Sequence, residues 1–141
     1  MSNLVQHRTT LTHRTNGPGF YDVTAEMTRW LASVDAGDGV LTLFIRHTSA
    51  SLTIQENADP DVQRDLKASL VALAPEDRNY HHTTEGPDDM PAHIKSMLTS
   101  VSLTIPVAAG RMMLGTWQAI YLIEHRAAPH SREVIAHYVG D

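Results

Sequence analysis

The sequence predicts an α+β fold: one domain over residues 1–141, with a mainly antiparallel β-sheet and two longer helices and one short helix packed on it. Three observations predict this. A length of 141 residues is that of one domain and suffices for a hydrophobic core without cross-links. The periodic segments run strand, helix, strand, helix, short helix, then four strands. Those last four read as a meander, which makes the sheet antiparallel and leaves one face for the helices to cover.

Residues 4–13 are rich in β-branched positions around Leu4, Gln6, Thr10 and Thr12 and read as a half-exposed strand. Asn16-Gly17-Pro18-Gly19 is a turn. Asp22 caps a helix over 23–34, where Val23, Met27, Trp30, Leu31 and Val34 fall on one face at helical spacing. Asp35 to Gly39 ends it, and Val40 to Arg46 reads as a buried strand. Asp59 caps a second helix whose first residue is Pro60, a ring already shaped for that position. Val62, Leu66, Leu70 and Leu73 form its buried stripe, and Pro75 stops it after Ala74. Residues 76–90 form a polar loop, and Met90-Pro91 opens the short helix to Leu98. Val101 to Val107 is a strand, Ala108 to Arg111 a hairpin turn, and Met112 to Trp117 the return strand. Ala119 to Arg126 continues in extended form, a loop covers 127–131, and Arg132 to Val139 is the last strand.

Composition narrows the function classes. Cysteine is absent, which excludes disulfides, thiolate metal sites and cysteine nucleophiles. The net charge of −5, without a basic stripe, speaks against nucleic acid as a partner. No apolar run is long enough to span a membrane. Met1-Ser2-Asn3-Leu4 has neither a basic nor an apolar leader region, so a cytoplasmic protein is expected. There is no P-loop, no Gly-rich dinucleotide fingerprint and no nucleophile elbow, so no nucleotide cofactor is expected. Nine histidines are the unusual feature, because imidazole both titrates near neutrality and binds metals.

The polar chemistry gathers in four stretches. In His47-Thr48-Ser49-Ala50-Ser51, three hydroxyls and an imidazole beside small side chains suit an anion. The plain alternative is a polar strand end. In Glu56-Asn57-Ala58-Asp59-Pro60-Asp61, with Asp65 a turn later, Asp59 reads as a cap, leaving Glu56, Asn57 and Asp65 as acidic or hydrogen-bonding candidates. The segment His81-His82-Thr83-Thr84-Glu85-Gly86-Pro87-Asp88-Asp89-Met90-Pro91-Ala92-His93-Ile94-Lys95 brings histidines and carboxylates from a loop into a helix. That mixture suits a divalent metal with an open position, and equally general acid–base work. Asp88-Asp89 also serve as a helix start, and Lys95 reaches either phosphate or water. In Gly115-Thr116-Trp117-Gln118, Thr116 and Gln118 share strand parity with Glu124 and are expected to line a polar pocket.

These residues carry a family likeness. His47-Thr48-Ser49-Ala50-Ser51-Leu52, Glu56-Asn57 with Asp59-Pro60 and Asp65, His82 through Ser96, Gly115-Thr116-Trp117-Gln118 and Glu124-His125-Arg126 together resemble the YjbQ family. The resemblance runs from the first strand to Gly140 and lies close to the enterobacterial YjbQ branch. Two positions depart from the family pattern: Ala119 and Thr99 stand where Gly is usual, both at element ends.

The resemblance implies an α+β homotrimer with secondary thiamine-phosphate synthase activity. That enzyme joins hydroxymethylpyrimidine diphosphate to thiazole phosphate with release of pyrophosphate, regarded as a side activity. Carried over by motif, the catalytic set is His47, His82 and His93 with Asp65 and Asp89, either carboxylate holding a histidine tautomer. The same three histidines are the expected ligands of a divalent metal ion such as zinc, magnesium or manganese. Thr48, Ser49, Ser51 and Lys95 are expected to hold the phosphorylated small-molecule substrate, with Asn57, Thr116 and Gln118 orienting it. Two other functions use the same residues: a metal-dependent hydrolase of a small phosphorylated metabolite, and a non-catalytic trimer that binds an anionic ligand.

Overall fold

The structure, a computed structural model, describes residues 3–141. The elements are β1 (Val5–Asn16), β2 (Gly19–Asp22), α1 (Thr24–Ser33), β3 (Gly39–Ile45), β4 (Ala50–Glu56), α2 (Pro60–Leu73), α3 (Asp89–Leu98), β5 (Ser102–Ala108), β6 (Arg111–Met112), β7 (Gln118–Glu124) and β8 (Pro129–Gly140). They form two antiparallel sheets where the sequence suggested one. The larger has the order β1-β8-β3-β5-β6 and the smaller β2-β7-β4. β1 and β8 pair over their whole length, from Val5 opposite Gly140 to Asn16 opposite Pro129.

One core lies between the sheets. Leu41, Leu43 and Ile45 of β3 and Val134, Ala136 and Tyr138 of β8 meet Leu52 of β4 and Ile120 and Leu122 of β7. Val23, Met27 and Leu31, the helical stripe read from the sequence, join the same cluster. Full burial of such a side chain is worth roughly 1.5–3 kcal/mol. The alternation along β8, where every second residue is buried from Arg132 onward, follows from a sheet with only one face in the core. β7 is different: Ala119 to Glu124 are all buried. Its second face is covered by α2, where Gln63 Nε2 donates to Tyr121 Oη at 2.9 Å. A strand covered on both sides needs the continuous apolar run that Ala119-Ile120-Tyr121-Leu122-Ile123 supplies.

The helices start close to where the sequence placed them. Asp59 Oδ1 accepts from the Asp61 amide at 2.9 Å and caps α2. Asp22 Oδ1 accepts from the Thr24 amide at 2.9 Å, although α1 itself starts one residue later than expected. The stripe on α2 is only half covered: none of its residues is fully buried, and Leu73 stays 59% exposed. The helix rides over a shallow apolar space against Phe20, Thr53 and Ile123 instead of sealing it.

Three strand expectations are corrected. β2 and β4 were not foreseen, and the return strand is only Arg111–Met112 instead of reaching Trp117. The turn before it holds Ala109 and Gly110 both at positive φ, 51° and 77°, as a two-residue hairpin of the mirror-image type requires. A Cβ on Gly110 would stand 2.7 Å from the Ala36 carbonyl oxygen, so only glycine fits there. No helix among the described residues is long and apolar enough to cross a membrane.

Candidate functional site

The N-terminal half of α3 and the loop before it build a cluster of four potential ligands. One atom each from His82, Glu85, Asp89 and His93 lies within 4.8 Å of the other three. Helical spacing puts Asp89 and His93 on one face of α3, one turn apart. The two imidazoles converge on one carboxylate oxygen: His82 Nε2 is 2.6 Å and His93 Nε2 3.1 Å from Asp89 Oδ2. Glu85 Oε2 stands 3.2 Å from His82 Nε2. Asp89 is buried, whereas the side chains of His82 and Glu85 are 38% and 62% exposed, so the cluster opens to solvent on one side.

The far atom of each inner ligand is held by the protein. His93 Nδ1 lies 2.9 Å from the Thr48 carbonyl oxygen. A carbonyl only accepts, so Nδ1 donates to it, and Nε2 is the atom turned toward the cluster. Asp89 Oδ1 accepts from Arg126 Nη1 at 2.8 Å, which leaves Oδ2 for the histidines. Arg126 is itself anchored by Asp88 Oδ2 at 3.0 Å and by the Glu85 carbonyl at 2.9 Å. Asp88 also accepts from the Ala127 amide at 2.8 Å, tying the loop after β7 to the start of α3.

These contacts shift the titrations. The hydrogen bond to Asp89 raises the His82 pKa above its ordinary value, against a smaller opposing effect of lost solvation. For Asp89, burial is the largest single influence and pushes the pKa up. The hydrogen bond from His82 and the charges of His93 and Arg126 together outweigh it and hold the carboxyl below its usual range.

His47, expected in the cluster, is elsewhere. Its Nε2 accepts from the Glu133 amide at 2.8 Å, and its Nδ1 lies 3.4 Å from Arg132 Nη1. Burial and then the Arg132 charge lower its pKa. A ring nitrogen already used by a backbone amide is not a ligand there, so His47 braces the β8 side of the loop. Thr48 contributes its carbonyl to His93. Ser49 Oγ accepts from Arg132 Nη2 at 3.0 Å, and the guanidinium continues to Glu124, with Nε 2.8 Å from Oε1.

Ser51 is fully buried, with Oγ 2.8 Å from His125 Nε2 and in contact with the Thr99 hydroxyl. Lys95 faces away from the cluster. It lies half-buried by a cavity bounded by α2, α3 and the β2–β7 edge, and burial lowers its pKa.

The remaining expected residues are far away. β4 carries the chain from Ala50, beside α3, to Glu56, and Asn57 lies beyond that far end, about 20 Å from Ala50 at strand rise. Asn57 is exposed, and its amide donates to the Trp117 carbonyl at 2.9 Å. Thr116 precedes β7 and is exposed, and Gln118 Oε1 closes the turn by accepting from the Gly115 amide at 2.8 Å. The shared face with Glu124 therefore does not line a pocket: Gln118 is exposed at one end of β7, and Glu124 is buried at the other. Asp65 is exposed on α2, outside the cluster.

Sequence reasoning left Glu85, Asp88, Arg126 and His125 out of the site. The four-residue spacing of Asp89 and His93 is a helical signal once α3 begins at Asp89, whereas Glu85 lies in the turn before the helix and is brought in by the loop. Arg126 stands in the Glu124-His125-Arg126 stretch of the family likeness, but nothing local ties it to the cluster, which it reaches only through the fold.

Fold and cluster define a class: an α+β domain of two stacked antiparallel sheets with a solvent-open group of two histidines and two carboxylates at the start of its third helix. The profile of the family described as "UPF0047 protein YjbQ-like" matches residues 8–141, and the chain belongs to that family. It is 50% identical to the UPF0047 protein sll1880 of Synechocystis sp., over 96% of this chain and 93% of that one. It is 44% identical to the UPF0047 protein YjbQ of Escherichia coli O157:H7, over 96% and 99%. A solved structure of a conserved hypothetical protein from Thermus thermophilus is similar with a TM-score of 0.79 and 38% identity, covering 90% of this chain and 97% of that one. A YbjQ-like protein of unknown function from Sulfolobus solfataricus shares the fold with a TM-score of 0.91 at 17% identity, over 99% and 100%.

Proposed function

We propose that the chain is a divalent-metal-dependent enzyme acting on a phosphorylated small molecule. Its specific form is the thiamine-phosphate synthase-type transfer that joins hydroxymethylpyrimidine diphosphate to thiazole phosphate. The working unit on this reading is a cytoplasmic homotrimer.

The observation that carries it is the convergence of His82, Glu85, Asp89 and His93, with the other nitrogen of His93 held by Thr48 and the other oxygen of Asp89 held by Arg126. Two imidazoles and two carboxylates fit zinc or manganese, whereas magnesium prefers oxygen alone. A bound cation supplies positive charge for the negative charge that develops on a departing diphosphate. The protein's own part is to orient: Arg126 fixes the Asp89 carboxylate, and Thr48 fixes the His93 tautomer. Solvent reaches the cluster through His82 and Glu85, and the same opening admits substrate.

The test is a synthesis assay on metal-analysed protein, with wild type, His82→Ala and His93→Ala side by side. Wild type is expected to contain about one metal per chain and to form thiamine phosphate. Each variant is expected to lose metal and at least 100-fold in rate while remaining folded by circular dichroism. Phosphate or pyrophosphate released without the thiazole partner would replace the transferase by a hydrolase. A metal-free wild type with full activity would overturn the reading altogether.

A further inference from the structure

On the flank of α3 turned away from the histidine cluster, Lys95 and His125 line a cavity of about 150 Å³. Apolar Phe20, Leu70, Val71 and Ile123 form part of its wall. We propose that this cavity binds a small uncharged hydroxyl compound with an apolar ring or short chain. Its hydroxyl donates to His125 Nδ1 and accepts from Lys95 Nζ. The inference stands on the cavity and needs neither a metal nor a substrate at the histidine cluster.

One chain of hydrogen bonds fixes where the His125 proton sits. The Thr99 hydroxyl has a single proton and donates it to the Lys95 carbonyl at 2.8 Å. A carbonyl only accepts, so towards Ser51 the same hydroxyl is the acceptor. Ser51, its own proton spent on Thr99, accepts from His125 Nε2 at 2.8 Å. The neutral ring therefore carries its proton on Nε2 and a lone pair on Nδ1. Burial keeps the ring neutral at pH 7 by pulling its pKa down to about 4. His125 is only 3% exposed, and no described residue donates to its Nδ1. No buried side-chain nitrogen or oxygen among the described residues lacks a partner, so Nδ1 opens onto the cavity that His125 lines. A lone pair aimed from a buried ring into an apolar hollow calls for a donor.

The other polar groups decide which donor. Asp88 is bonded to Arg126 and to the Ala127 amide. Glu124 accepts from Arg132 and from the amides of His125 and Arg126. Lys67, which donates to the Pro18 carbonyl at 3.2 Å, and Glu76 are exposed at the mouth. Lys95 Nζ makes no hydrogen bond or ion pair with any described residue. One acceptor and one donor are left over. An anion would set its oxygens against the Nδ1 lone pair, and a cation would meet the Lys95 ammonium. A hydroxyl answers both groups, because it donates one hydrogen bond and accepts others. An apolar cavity of this size holds a body about as large as a benzene ring.

Proton–nitrogen correlation NMR of the histidine rings in the intact chain at pH 7.5 tests this. The probe is phenol, uncharged at that pH, and the control is toluene, a ring of similar size without the hydroxyl. Phenol is expected to shift His125 Nδ1 as a nitrogen that gains a hydrogen bond, and to leave the His82 and His93 rings unmoved. Toluene should not shift it. Phenol should bind at least about fivefold tighter than toluene, as one net hydrogen bond provides. Lys95→Met is expected to weaken phenol at least about threefold and to leave toluene within about twofold. An unmoved Nδ1 in the wild type would show that water alone satisfies it and would overturn the proposal. Equal affinity for toluene would reduce the place to an apolar hollow. Tighter binding of benzoate than of phenol would make it an anion site, and unchanged phenol affinity in Lys95→Met would remove the second contact; each of these results refutes the assignment.

Discussion

Burial fixes the charge of His125. Loss of solvent, and then the nearby Lys95 and Arg132 charges, pull its pKa down to about 4, and Glu124 opposes this only in part. Between about 4 and the ordinary value of 6.5 the unfolded chain therefore binds a proton that the folded chain refuses. Stability contributed by the neutral ring is present above pH 6.5 and is lost as the pH falls toward 4. From pH 7 to pH 5 the loss is about 2 kcal/mol from this one residue. Urea unfolding at both pH values should show it in the wild type and not in His125→Gln. The carboxylates Asp88, Asp89 and Glu124, whose pKa values are depressed, act in a lower window, losing their stabilisation as they protonate. An identical slope above pH 5 in the variant would show that the ring is not the group responsible.

At the scale of elements, one ion pair ties the two sheets together. Glu124 ends β7 in the small sheet, Arg132 lies in β8 of the large one, and both are buried. Thr15 of β1 donates to the same carboxylate. The pair extends through Ser49 to the loop whose next carbonyl upstream, that of Thr48, fixes His93, so sheet packing and ligand geometry share one support. Arg132→Met strands a buried carboxylate and is expected to cost about 3–5 kcal/mol by denaturant unfolding. Adding Glu124→Gln removes the charge, keeps one oxygen for the two amides and turns an NH2 to the Thr15 hydroxyl, which can accept from it while donating to the His130 carbonyl, and should restore most of that loss. If the single variant loses under 1 kcal/mol, the tie is not structural. Local signals made the helices legible: Asp59-Pro60 for α2, and the apolar stripe from Val23 to Leu31 for α1. β4 was legible in principle, since Ala50, Leu52 and Ile54 alternate with Ser51, Thr53 and Gln55. Its hydroxyls drew attention as a ligand motif instead. β2 is four residues long and has no period to read. In the cluster, His82, Asp89 and His93 were legible because they share one motif. The displacement of His47 was not, because it depends on the β8 amide that Glu133 brings across.

The whole molecule leaves one face of the larger sheet bare. Val40 and Val139 are cross-strand neighbours on β3 and β8, each 42% exposed, and Phe44 further along β3 is 44% exposed. The polar pair Thr42–His137 separates the two spots, and beyond Phe44 and its β5 neighbour Ser102 stands Val101, which is also 44% exposed. Val101 in turn lines a shallow hollow with Met97, Thr48 and His93. The trimer expected from the family resemblance would cover Phe44, Val101 and Met97, the exposed apolar residues nearest His93. The homotrimer implied by the family resemblance would then shield the open side of the cluster, making assembly a condition of activity. Light scattering should give three times the 15.6 kDa chain mass for the wild type. Phe44→Glu, which touches no ligand, should release monomers that stay folded and lose at least tenfold in turnover. A monomeric wild type would sink the trimer. A trimeric Phe44→Glu would move the interface elsewhere, and an active monomer would show that each chain completes its own site.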